Sequence, residues 1–129
     1  MLDTNICIYL IKQQPSSVLD RFRALQVGTI GISIITLAEL MYGAAKSRHP
    51  TRNHHALTQF SSPLDIAHFD SDAAHTYGRI RSLLERQGRP IGAMDLLIAA
   101  HAVSLDVPLV TNNVGEFPRV PGLKVENWV

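Results

Sequence analysis

Ile30-Gly31-Ile32-Ser33-Ile34-Ile35-Thr36-Leu37-Ala38-Glu39-Leu40-Met41-Tyr42 reads as a short buried strand that passes at once into an apolar helix. Residues 30–33 are an apolar run too short for a helix. From about residue 35 to residue 45 the apolar positions recur at helical spacing, and Ser33 and Thr36 are the candidate caps. A strand followed directly by a helix is the repeating unit of an α/β fold. Glu39 lies inside this helix. Its neighbours at i−4, i+3 and i+4 are Ile35, Tyr42 and Gly43, so the acid points along a largely apolar face.

The same alternation continues on both sides. Residues 1–3 read as the end of a first strand. Pro15-Ser16-Ser17 opens a helix whose apolar stripe is Val18, Leu19, Phe22 and Leu25. Pro50 starts another that ends before Pro63, and residues 64–69 alternate as a strand. Ser71, with Asp72 in the first turn, begins a long amphipathic helix that reaches about Gln87, where Gly88 stops it. Residues 93–104 form one more helix, and residues 108–111 and 123–128 the last two strands. This order predicts a central, parallel or mostly parallel sheet covered by helices on both faces. Functional groups in such sheets gather at the carboxyl ends of strands, where the strand order reverses.

The chain has 129 residues with no repeat, low-complexity stretch or linker, so a single domain over residues 1–129 is expected. With 46% hydrophobic residues it is no disordered sequence. No apolar run approaches the ~20 residues that span a bilayer. The opening Met-Leu-Asp-Thr-Asn is no signal peptide, and the single cysteine, Cys7, reads as a buried structural thiol. Together these predict a reducing, cytoplasmic setting. The net charge of +1 says little, but its distribution is uneven. Arg79, Arg81, Arg86 and Arg89 share one segment with a single acid, Glu85. Lys46, Arg48 and Arg52 form a second cluster beside His49, His54 and His55. Each cluster is either a solvated helix face or a stripe that contacts phosphates.

Of the eleven acids, most lie in polar or loop contexts. Asp3, Glu39 and Asp95 do not. Asp3 stands where the first strand ends, and Asp95 opens the run Leu96-Leu97-Ile98-Ala99-Ala100, with Ile98, Ala99 and Ala102 on its own face. An ionised carboxylate in such surroundings costs several kcal/mol unless a base, a helix N-terminus or a metal compensates it. Asp95 has a helix N-terminus, whereas Glu39 is mid-helix with no Lys or Arg at i±3 or i±4. A divalent cation held jointly by the three is the economical solution, and hard Mg²⁺ and Mn²⁺ prefer such oxygen ligands. Taken singly, each acid also has an ordinary reading: a turn former, a dipole partner, a mate for a distant Arg. A fourth region, Leu109-Val110-Thr111-Asn112-Asn113-Val114-Gly115-Glu116-Phe117, turns polar as a strand ends. Asn113 or Glu116 could face the same cluster, with Thr111 bonding a carboxylate. The six histidines show no metal spacing, and His101 reads as packed or solvated rather than catalytic.

These residues, in this order, resemble the motifs of PIN domains: Met1-Leu2-Asp3-Thr4-Asn5, then Thr36-Leu37-Ala38-Glu39-Leu40 with Tyr42-Gly43, then Pro90-Ile91-Gly92-Ala93-Met94-Asp95 continuing to His101-Ala102, then Val110-Thr111-Asn112-Asn113 with Glu116-Phe117. The set covers essentially the whole chain and most resembles the VapC toxins of toxin–antitoxin systems. The resemblance implies a three-layer α/β/α sandwich and an acidic pocket for Mg²⁺, with Mn²⁺ able to substitute. It implies endonucleolytic cleavage of RNA, with the anticodon region of initiator tRNA as target. Asp3, Glu39 and Asp95 carry over as metal ligands, Glu116 as a further catalytic acid, and Thr4, Asn5, Thr111 and Asn113 as orienting groups. Many family members have an aspartate where this chain has Asn113, and Glu116 supplies the missing charge. A homodimer is implied, and a cognate VapB-type antitoxin that lays a segment across the acidic groove and places an Arg near the metal. Two other readings keep the same fold: a non-toxin PIN nuclease of RNA processing, and an inactive PIN module that binds RNA.

Overall fold

The sheet is assembled around one residue. In a computed structural model that describes residues 1–26 and 28–129, Leu2 bridges in parallel to Ile32 on one side and to Val110 on the other. Its N–H donates to the Gly31 carbonyl (3.0 Å), and the next N–H, of Asp3, donates to Val110 O (3.0 Å). β1 (Gly31–Ser33) pairs in parallel with β2 (Asp65–Ala67), and β3 (Leu109–Val110) with β4 (Val125–Glu126). The order is therefore β2-β1-Leu2-β3-β4, all parallel. The chain builds one half of the sheet after Leu2, then crosses to build the other. The switch point thus lies at the carboxyl end of the Leu2 segment, and Asp3 occupies it.

Six α-helices flank this sheet in chain order among the described residues. α1 (Thr4–Lys12), α2 (Ser16–Arg23), α3 (Ile34–Ala45) and α4 (Pro50–Ser61) belong to the first half, α5 (Ser71–Arg86) and α6 (Ala93–Leu105) to the second. Alternation along the strands divides the core. Leu2, Ile32 and Val110 pack with Ile6, Cys7, Leu10, Leu40 and Leu57. Leu109 packs instead with Ile80, Leu84, Leu96, Ile98 and Phe117. α3 serves both clusters, giving Leu40 to the first and Ile35 to the second. The result is the expected three-layer α/β/α sandwich. Each fully buried Leu, Ile or Phe contributes roughly 1.5–3 kcal/mol by leaving water.

Local signals explain the boundaries. The Ser33 hydroxyl accepts the Ile35 N–H at 3.0 Å and starts α3. Thr36, the other cap candidate, is buried instead and its hydroxyl finds no partner. α5 is capped by Asp70, whose carboxylate accepts the Ala73 N–H at 3.0 Å, one residue ahead of the expected start. It ends before Gly88, which takes φ +66°. At Gly31 a Cβ would lie 3.0 Å from the Asp65 carbonyl, so glycine permits the close approach of β1 and β2.

Two elements were not expected. α1 begins directly after Asp3, and a 3₁₀ turn covers Phe117–Arg119. The strands are shorter than the apolar runs suggest, because parallel pairing lasts only two or three residues. Among the described residues no helix is long and apolar enough to cross a membrane.

Candidate active site

Four acids from four separate elements meet beside the switch point. Asp3 ends the central segment and is only 4% exposed. Its Oδ1 accepts the Ile6 N–H at 2.8 Å, so the same carboxylate that faces the site also caps α1. The Asn5 N–H and the Thr111 hydroxyl bond it as well. Burial pushes its pKa up, the hydrogen bonds from Thr111 and Ile6 oppose that, and the negative charge of Glu39 adds to the rise.

Glu39 projects from the middle of α3. The Thr4 hydroxyl donates to its Oε1 at 2.6 Å, which ties the start of α1 to α3. Asp95 stands in the first turn of α6, behind Gly92 at the cap position. Its pKa is pushed from the ordinary 3.8 up to about 6, first by burial, then by the negative charges of Glu116, Glu39 and Asp3 in that order. Asp95 thus feels all three other carboxylates and lies within hydrogen-bond reach of Glu116, and Asp3 also feels Glu39.

The β3 exit loop supplies the fourth acid. The Asn113 N–H donates to Thr111 Oγ1 at 3.0 Å. Asn113 Nδ2 donates to Glu116 Oε2 at 3.4 Å, and the Glu116 N–H donates back to Asn113 Oδ1 at 3.3 Å. The amide at position 113 thus orients Glu116, a task a second carboxylate would perform against like-charge repulsion. Asn5 is different from the other expected orienting groups: it enters through its backbone N–H, and its side chain is exposed.

One contact escaped sequence reading. The Tyr9 hydroxyl accepts Asn112 Nδ2 at 2.7 Å and clamps the exit loop onto α1. The two residues are 103 positions apart, and Tyr9 sits on the unexpected helix, so no local signal pointed to it. Behind β1, His101 Nδ1 lies 2.7 Å from Ser33 Oγ with Phe69 edge-on at 5.3 Å. Burial pushes His101 below its ordinary pKa, so it packs as a neutral ring away from the acids. Cys7 is fully buried, and burial pushes its thiol up and out of reactivity.

Whether these groups suit a metal ion follows from their charge and chemistry. Among the described residues no Lys or Arg forms an ion pair with Asp3, Glu39, Asp95 or Glu116; the two pairs present are Arg81–Glu85 and Lys124–Asp106. The donor set is all hard oxygen, which suits Mg²⁺ or Mn²⁺. Among the described residues no three His, Cys, Asp or Glu side chains stand close enough together to hold a metal ion as a group. Mg²⁺ needs no such closed set, since it takes one or two carboxylates and keeps its other positions for water and phosphate. The residues fit such an ion.

An apolar groove of about 380 Å³ opens beside Glu39 and runs between α1, α3 and α4, lined by Ile8, Ile11, Leu40, Ala44 and Leu57.

Comparison with known proteins places the chain in one family. A family model described as PIN domain matches residues 1–123. The tRNA(fMet)-specific endonuclease VapC of Shigella flexneri is 51% identical over 128 residues, covering 99% of this chain and 96% of that protein. The ribonuclease VapC2 of Rickettsia felis is 46% identical, covering 99% and 96%. Among solved structures, VapBC2 from Rickettsia felis bound to a DNA fragment from their promoter superposes with a TM-score of 0.94 at 45% identity, covering 100% of this chain and 98% of that one. DNA-bound VapBC from Salmonella typhimurium gives 0.95 at 45%, covering 100% and 97%.

Proposed function

The chain belongs to the PIN-domain family, among its VapC ribonucleases, and from that premise we propose that its four clustered acids form a Mg²⁺ centre that cuts initiator tRNA in the anticodon region. It acts as the toxin of a toxin–antitoxin pair, as one PIN domain over residues 1–129, in the cytoplasm. Mn²⁺ substitutes for Mg²⁺. The observation that carries the reading is the meeting of four carboxylates with, among the described residues, no Lys or Arg ion-paired to them.

Asp3, Glu39 and Asp95 would hold the ion, with Glu116 completing the negative charge; the chemistry it would supply is polarisation of the scissile phosphate and activation of a water. The chain's own residues arrange everything else. The Thr111 hydroxyl fixes Asp3, the Thr4 hydroxyl fixes Glu39, and Asn113 fixes Glu116. Asp95, its pKa pushed up to about 6 by burial and the neighbouring acids, is placed to accept a proton during hydrolysis. A single-stranded loop is the fitting substrate, because its phosphates are reachable and its bases can be splayed.

The inactive-module reading drew on the amide at position 113. That amide bonds Glu116 in both directions, so it supports an acid rather than replacing one. The antitoxin is a VapB-type protein, and the apolar groove beside Glu39 is a fitting seat for its apolar segment. An Arg at the end of that segment would meet the acids and silence them. A homodimer is the assembly that the resemblance to VapC toxins implies.

The test is cleavage of total bacterial RNA by antitoxin-free protein with Mg²⁺, Mn²⁺ or EDTA, beside Asp95→Asn. Discrete, metal-dependent ends within the anticodon loop of initiator tRNA, lost in the variant, are expected. Cleavage that survives in folded Asp95→Asn would sink the ligand assignment. Ends in ribosomal or messenger RNA with tRNA spared would sink the target.

A further inference from the structure

The corner between α3 and α4 carries charge that no other feature of the fold uses. From Leu40 to Leu64 the sequence contains no acid, yet it holds Lys46, Arg48 and Arg52 with His49, His54 and His55. Arg48, His49, Arg52 and His55, with Pro50 and Thr51, line a shallow, largely open surface depression. None of these cations forms an ion pair among the described residues, and α4 has no acid in its first turn to offset them. Two arginines on one depression, with Lys46 close by in sequence, repel one another, and an anionic partner relieves that repulsion.

A second observation connects the corner to the acids. Glu39, Tyr42 and Lys46 stand at i, i+3 and i+7 on α3, along one helix face. Glu39 lies in the acidic cluster, and Lys46 caps the helix at the corner. The step between them is about 10 Å at 1.5 Å per residue. Tyr42, midway, is 65% exposed, with the Lys46 ammonium 4.8 Å from its ring centroid. An exposed aromatic face between a carboxylate cluster and a cationic corner suits a strand whose bases stack and whose phosphates run on into positive charge.

We propose that this α3–α4 corner anchors the RNA strand beside the cleavage site. Tyr42 stacks an unpaired base, and Lys46, Arg48 and Arg52 take the backbone phosphates that follow it. The inference rests on the nuclease reading for its substrate, and it adds a binding subsite outside the acidic cluster.

The experiment measures binding rather than cutting. Asp95→Asn protein is titrated with unfractionated bacterial tRNA by filter binding over a range of salt. The triple variant Lys46→Ala, Arg48→Ala, Arg52→Ala in the same background should lower affinity at least tenfold. It should also flatten the slope of log K against log salt by about 2, at about 0.7 per phosphate contact on single strands. Tyr42→Ala should lower affinity about tenfold while Tyr42→Phe keeps it. Arg79→Ala with Arg86→Ala on α5 is the charge control, and should leave both quantities close to the parent. An unchanged slope in the triple variant, or an equal loss in the α5 control, overturns the proposal. So does a triple variant that binds RNA normally but loses a VapB-type antitoxin, since the corner would then belong to the protein partner. Cleavage by the Asp95-containing protein is scored separately. Corner-dependent binding without cleavage would defeat the nuclease reading and leave the anchor standing.

Discussion

Asp95→Asn should make the metal-free protein more stable while abolishing its cleavage. The carboxyl of Asp95 is pushed from 3.8 up to about 6, by burial first and then by Glu116, Glu39 and Asp3. At about 1.4 kcal/mol per pH unit that difference corresponds to ~3 kcal/mol against the ionised, folded form at neutral pH. Asp95 is only half-buried, so water screens a good part of this, leaving about 1.5 kcal/mol. The carboxylate also gains about 0.5 kcal/mol from the N-terminus of α6, which the amide forfeits. The net is about 1 kcal/mol in favour of the variant, or a Tm higher by roughly 4 °C for a domain of this size. The sign depends on pH. A raised carboxyl pKa means that the folded state holds a proton the unfolded chain has lost, so stability falls as pH rises from about 4 to above 6. The variant's advantage should therefore be full at pH 7.5 and fade as pH drops through 6 toward 4. Thermal unfolding in EDTA at pH 7.5 and pH 5, repeated with Mg²⁺, measures all of this. Mg²⁺ should raise the Tm of the parent and leave the variant nearly unmoved. If the metal-free variant is no more stable than the parent at pH 7.5, or Mg²⁺ stabilises both alike, the acids are not a repelling cluster awaiting a cation.

The other expectations are briefer. Thr4→Val removes the donor to Glu39 at 2.6 Å. Losing such an outer partner should raise the Mg²⁺ concentration for half-maximal cleavage about tenfold with little change in Tm, and a Mg²⁺ titration of activity checks it. Cleavage at limiting Mg²⁺ should fall as pH drops through about 6, because Asp95 takes up a proton and loses its affinity for the ion. In Glu116→Gln one of the charges that raise Asp95 is gone, so the acid limb of that pH profile should move to lower pH. Gly31→Ala would put a Cβ 3.0 Å from the Asp65 carbonyl. Since both atoms belong to paired backbone, the strands must part, and chemical denaturation should show a loss of about 1–3 kcal/mol.

What could be read in the sequence depended on how local its cause was. The α3 run declared itself because strand, cap and helical period are adjacent, with Ser33 closing one and opening the other. Glu39 and Asp95 stood out because an acid on an apolar face has few explanations. α1 was missed because Ile6, Ile8 and Ile11 are β-branched and favour strands intrinsically. What makes this segment helical is the Asp3 cap and the burial of Ile6, Cys7 and Leu10 against the sheet, and the second of these is tertiary. The Tyr9–Asn112 clamp and the Asp95–Glu116 pair join residues that only the folded sheet brings together. Sequence left Asn113 and Glu116 as rivals for one role; the geometry makes them partners.

The double use of Asp3 decides how the site should be probed. One of its oxygens accepts the Ile6 N–H and starts α1, and the carboxylate also faces Glu39 and Asp95 across the cluster. Removing a helix cap costs about 1 kcal/mol, and removing one of four repelling charges returns a similar amount. Asp3→Ala therefore mixes two stability changes of opposite sign with the loss of a ligand, and an inactive variant would be ambiguous. Asp95 carries no side-chain cap of α6, since Gly92 holds that position. Its change to Asn separates charge from structure, which is why a gain in stability beside a loss of cleavage is the informative outcome. A gain of the same size in Asp3→Asn, which keeps a cap acceptor, would show that the repulsion belongs to the cluster as a whole.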